Sequence, residues 1–68
     1  MMNVNYNGKN ISMPVGSSLR DLLTLNSTAV KGVLVEFNDE ILDVDADYAQ
    51  FILHENDQVN AFRIVAGG

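Results

Sequence analysis

The chain has no cysteine, one proline, one histidine and only four basic residues among 68. Without cysteine there is no disulfide framework, no thiolate metal site and no thiol nucleophile, so covalent chemistry must fall to another group. Four basic residues cannot form the face that phosphate binding needs, and the net charge of −5 excludes nucleic acid as the expected partner. No apolar run approaches the roughly 18 residues of a membrane span. The N-terminal MMNVNYNGKN alternates polar and apolar residues where a signal peptide needs a continuous apolar stretch. The expectation is a cytoplasmic protein without membrane association.

What is present is a foldable composition. Hydrophobic residues make up 47% of the protein and charged ones 19%, the balance of a folded domain. At this length there is room for one domain with a thin core, because a protein near this size buries only about 60% of the surface that it exposes unfolded.

The acidic charge is uneven. Eight of the nine acidic residues lie between Glu36 and Asp57, and no Lys or Arg falls between Lys31 and Arg63. Two readings apply: steering toward a basic partner, or a solvated surface that keeps a small protein in solution. Within this run DVDAD sets Asp43, Asp45 and Asp47 at the alternate spacing of a calcium loop. That loop also needs Gly at its sixth position and Glu at its twelfth, where Tyr48 and His54 stand, so the metal reading fails. His54 has no second histidine or cysteine with which to build a metal site or a catalytic triad, and is read as a surface or structural residue. No metal is expected.

Met2, Val4 and Tyr6 share one parity and Asn3, Asn5 and Asn7 the other, which predicts a half-buried strand. Asn7-Gly8 is the pair most suited to a two-residue hairpin turn, so a second strand over about Lys9 to Met13 should fold straight back. Pro14 and Gly16 end it. Ser17 or Ser18 then caps a short helix, with Asp21 three residues after Ser18 in the place of a capping-box carboxylate. Leu19, Leu22 and Leu23 give that helix an apolar stripe, and Leu25 or Asn26 marks its end.

GVLVEFNDEIL reads as another hairpin, with Val33, Val35 and Phe37 inward, Leu34 half exposed and Asn38-Asp39 at the turn. Asp45 or Asp43 is expected to cap a helical turn that sends Tyr48, Phe51 and Ile52 inward. Asn56-Asp57 leads into a last strand, QVNAFRIV, which does not alternate cleanly. Val59 and Ala61 share one parity, Phe62 and Ile64 the other, so either a bulge shifts the register or both faces are covered. An apolar residue left on the outer face would be a docking surface.

The protein then finishes RIVAGG, on two glycines that have no side chain to pack. NYNGKNISMPVGSSLRDLL, VLVEFNDEIL and ENDQVNAFRIVAGG, in that order, resemble the ubiquitin-like sulfur carrier proteins of thiamin (thiazole) biosynthesis, over nearly the whole length. The resemblance implies an α+β, β-grasp fold: a mixed sheet of four to five strands on one main helix, with the first and last strands adjacent and parallel. Residues 1–65 would form the domain and 66–68 a flexible tail. It further implies that a partner adenylyltransferase of the ubiquitin-activating type uses ATP to adenylate the carboxylate of Gly68. A sulfur donor protein then supplies the thiocarboxylate, and thiazole synthase takes the sulfur. Gly67, with Ala66 before it in the tail, would keep that end narrow; apart from the resemblance, the apolar Phe62, Ile64 and Val65 of the last strand are expected to meet the partners.

On this resemblance the protein binds no cofactor of its own, is a monomer when free, and is a cosubstrate rather than an enzyme. The small subunit of molybdopterin synthase is similar in fold and chemistry, but that group tends to carry prolines before its terminal glycines, where Ile64-Val65-Ala66 stands here. A β-grasp interaction module with incidental glycines, or a ubiquitin-like modifier joined to protein amines, are the other readings. Fold alone does not separate them.

Overall fold

In the computed structural model, which describes residues 1–26, 33–43 and 45–63 and only the backbone of Arg63, the N-terminal segment forms the expected hairpin. Strands β1 (Met2–Tyr6) and β2 (Lys9–Met13) pair antiparallel from Met2 opposite Met13 to Tyr6 opposite Lys9. The turn between them needs positive φ at both residues, and Asn7 and Gly8 supply it at 50° and 82°. Met2, Val4 and Tyr6 are buried, as their shared parity requires.

Helix α1 (Leu19–Leu25) follows. Of the two candidate serines, Ser18 is the cap: its hydroxyl accepts from the Asp21 N–H at 3.1 Å, and the Ser18 N–H donates to the Asp21 carboxylate at 2.9 Å. Ser17 instead donates its hydroxyl to the Pro14 carbonyl at 2.7 Å. A hydroxyl cap of this kind contributes about 1 kcal/mol. The Ser18 backbone bond, then its hydroxyl, and finally the Arg20 charge hold the Asp21 carboxyl below its ordinary value.

A lowered value in the folded state makes this stabilisation complete above the ordinary aspartate range. It is lost as the pH falls through Asp21's own, lower titration. Asp21→Asn is therefore expected to flatten the acid-side fall in stability, checked by urea unfolding at a series of pH values.

Strand β3 (Val33–Phe37) turns at Asn38 and Asp39, both at positive φ, into the two-residue β4 (Glu40–Ile41). The last strand, β5 (Gln58–Arg63), enters the middle of a five-stranded sheet of order β2-β1-β5-β3-β4. It runs parallel to β1, with Asn5 opposite Gln58 and Tyr6 opposite Val59, and antiparallel to β3 over five successive pairs from Val33–Arg63 to Phe37–Val59. This is the β-grasp arrangement: a mixed sheet with one helix on its inner face. Leu19, Leu22 and Leu23 are wholly buried and share one core with Val4, Val35, Val59 and Leu53. Fully burying a leucine contributes about 1.5 to 3 kcal/mol, so these helix residues carry much of the thin core.

Two expectations between β4 and β5 need correction. The cap of the 3₁₀ turn Tyr48–Gln50 is Asp47, whose carboxylate accepts from the Ala49 N–H at 3.1 Å; neither Asp45 nor Asp43 fills that place. Asp43 instead accepts from the Asp45 N–H two residues on. Ile52 points outward, while Tyr48 and Leu53 are buried and Phe51 packs edge-on against Phe37. The backbone is extended after the 3₁₀ turn, and Ile52 bridges to Ser18 while Leu53 N–H donates to the Ser17 carbonyl. Side chains there alternate with the period of a strand, which turns Phe51 and Leu53 toward the core and Ile52 out.

Candidate functional site

The site is built on the end of β5. The unbroken pairing of β5 with β3 settles the register question: no bulge interrupts it, so Val59 and Ala61 face the helix while Phe62 faces outward. Phe62 is 51% exposed, a large ring on the open face of the sheet two residues before the terminal run 64–68 begins.

Its direct cross-strand neighbour is Leu34, half-buried on the same face. Two residue pairs along from the Leu34–Phe62 rung, and so on the same face, Asn60 stands opposite Glu36 and donates its amide to the Glu36 carboxylate at 2.9 Å. Across the next pairing Glu36 meets Ile41, which is 53% exposed. Phe62, Leu34 and Ile41 thus make an apolar patch with one carboxylate inside its border. Cross-strand aromatic and aliphatic pairs of this kind stabilise a sheet modestly. Exposed, they also offer apolar area to a partner.

Leu34 and Ile41 do not figure in the docking set that the sequence suggests. Parity alone makes Leu34 half exposed. That it stands beside Phe62 depends on a register between strands far apart in the sequence, for which there is no local signal. Of the other candidate residues, Ile64, Val65, Ala66, Gly67 and Gly68 lie outside the described residues.

On the same face, beyond β5, the surface turns from apolar to amide-rich. Asn3, Asn5, Asn10, Asn56 and Gln58, with Val4 among them, border a hollow of about 500 Å³. The outer face is therefore divided along β5, polar toward β1 and β2 and apolar toward β3 and β4. Asp43, Asp45 and Asp47 are all exposed. Among the described residues no three metal-ligating side chains come together. His54 lies at the surface with its side chain 79% exposed, 3.9 Å from Asp57. Among the same residues no helix is long and apolar enough to cross a membrane.

The model of the ThiS family matches residues 4–68. The crystal structure of the thiamine biosynthesis protein (ThiS) from Geobacter metallireducens is similar throughout, with a TM-score of 0.79 and 27% identity, over 98% of this protein and 100% of that one. No curated protein sequence matches.

Proposed function

The chain belongs to the ThiS family, and from that membership we propose that it is a sulfur carrier of thiamin synthesis whose working group is the carboxylate of Gly68. The observation that carries the reading is that the family match runs through Gly67 to Gly68, in a protein with no cysteine to hold sulfur on a side group.

An α-carboxylate, with a reference pKa of about 3.5, is ionised at neutral pH but is a poor electrophile. Its oxygen attacks the α-phosphorus of ATP on a partner adenylyltransferase, and pyrophosphate leaves. The acyl adenylate then has a good leaving group, so sulfide-level sulfur released by a donor protein attacks the carbonyl carbon, the C–O bond to AMP breaks, and a thiocarboxylate is left. Thiazole synthase consumes that sulfur. The adenylate must be shielded from water, so the C-terminus has to enter an enclosed site on the partner. Gly67 and Gly68 suit such an entry because they lack Cβ and admit close approach of the backbone. The protein is thus a cosubstrate of its partners and not itself the catalyst.

Ordering a terminal segment costs roughly 1 to 2 kcal/mol per residue, so the folded surface must supply affinity. The Phe62–Leu34 pair with Ile41 is the apolar surface on the strand that leads to that end, and Ile64 and Val65 follow it in the sequence as further apolar contacts. The partner that fits has an apolar patch and a basic or amide group for Glu36. Phe62→Ser is expected to weaken binding to the adenylyltransferase about tenfold or more, as loss of an aromatic anchor does. The unfolding midpoint should move little, because half the ring is already in water. Titration calorimetry and thermal unfolding check the two halves.

The function itself is tested by incubating the protein with the activating enzyme, ATP and a sulfur donor and reading its intact mass. Exchange of one oxygen for sulfur is the expected result. An unchanged mass with binding retained would mark an interaction module, and a ladder of conjugates would mark a protein modifier.

A further inference from the structure

Asn7 holds two strands together in an unusual way. Its N–H donates to the Val59 carbonyl at 2.9 Å as the last backbone rung between β1 and β5. The next donor along β5 on that side is Ala61 N–H, and by then β1 has turned away into its hairpin. The Asn7 carboxamide takes over: its Oδ1 accepts from Ala61 N–H at 2.8 Å, across 54 residues of sequence. A carboxamide thus stands in for a strand carbonyl and extends the parallel pairing toward the C-terminal end of β5.

The same residue precedes Gly8, and the pair is exposed to water. A glycine at that position leaves its own backbone nitrogen unhindered, which is the chemical condition for the preceding asparagine to cyclise. We propose that Asn7 is a latent deamidation site, guarded by the folded turn, whose conversion to isoaspartate unlatches β1 from the end of β5. In the reaction Gly8 N attacks Asn7 Cγ, and the new bond closes a succinimide. The bond from Asn7 Cγ to Nδ2 breaks, and ammonia leaves with the proton that Gly8 N gives up. Water then opens either ring carbonyl, giving aspartate or isoaspartate, with no oxidant or reductant involved.

Both reacting groups are occupied in the folded turn. The Gly8 N–H donates to Asn5 Oδ1 at 3.1 Å, and the Asn7 carboxamide is tied to Ala61. The ring closes only over a narrow range of torsions about the backbone and Cα–Cβ bonds. With φ of 50° at Asn7 and 82° at Gly8 fixed by the hairpin, the tied carboxamide is not free to search for them. Reaction therefore proceeds from the opened turn, and its rate follows the population of that local opening. Isoaspartate then places an extra methylene in the backbone of a turn that has no slack, so the bond to Ala61 is not rebuilt.

The experiment ages the purified full-length protein at mildly alkaline pH, folded in buffer and unfolded in concentrated urea, and locates deamidation by peptide mass mapping. Asn7 is expected to react in urea faster than in the folded protein by about tenfold or more. Asn5→Ala, which removes the acceptor for Gly8 N–H, is expected to raise the folded-state rate severalfold. The aged, chromatographically separated isoaspartate form should exchange its Ala61 amide hydrogen faster than fresh protein. Equal rates in buffer and urea would overturn the guarded site, and so would a folded rate unmoved by Asn5→Ala. An aged form whose Ala61 exchange is unchanged would overturn the latch. None of these readouts depends on sulfur loading.

Discussion

Deleting Gly68 is expected to reduce thiocarboxylate formation by about 10²-fold or more, while the folded domain keeps its unfolding midpoint. The shortened protein still ends in a glycine carboxylate, so the loss comes from reach and not from chemistry. One residue spans at most about 3.6 Å, and a carboxylate oxygen drawn back by that distance no longer meets a phosphorus held by the partner. Displacement of a reacting group by about 1 Å already costs on the order of 10²-fold. Single-turnover mass spectrometry against the intact protein measures the effect, with thermal unfolding as the control. Sulfur loading at the normal rate after the deletion would sink the proposed role of the C-terminus.

The second large effect concerns the domain that presents this end. Leu22→Ala is expected to destabilise the protein by about 2 to 5 kcal/mol, since the leucine is wholly buried and the site closes only partly around the void. A domain of this size has a total stability of about 3 to 10 kcal/mol. Much of it rests on this one residue, and the variant should unfold at a far lower urea concentration. Circular dichroism across a urea series checks it. Leu22 lies in the helix stripe between Leu19 and Leu23, so no neighbour can slide in to fill the space without leaving its own place in the core. A cost below about 1 kcal/mol would mean that the helix is not the inner wall of the core.

Which parts of the molecule are legible in the sequence follows from the range of each interaction. The first hairpin, from Met2 to Met13, is readable residue by residue because its determinants are neighbours: strand parity on either side and two residues suited to positive φ between them. The helix and its box of Ser18 and Asp21 are readable for the same reason, as all the partners lie within three residues. The cap of the 3₁₀ turn is not, because three aspartates in alternate positions offer nearly equal caps. Which of them serves depends on where Tyr48 must sit to reach the core. The outward place of Ile52 is hidden too: a helical period carried past the turn sends it inward, whereas docking against Ser17 and Ser18 draws the backbone straight.

Residue order was enough to specify the strands, the helix, their succession and the resemblance that points to the terminal glycines, because each rests on short-range backbone preference or on an ordered string of residues. Folding in three dimensions was needed to place Phe62 outward beside Leu34, to bring Ile41 to them around Glu36, and to let the Asn7 carboxamide reach Ala61. Those outcomes are fixed when β5 inserts between β1 and β3. The pairings it forms join residues tens of positions apart, and no local preference encodes their register.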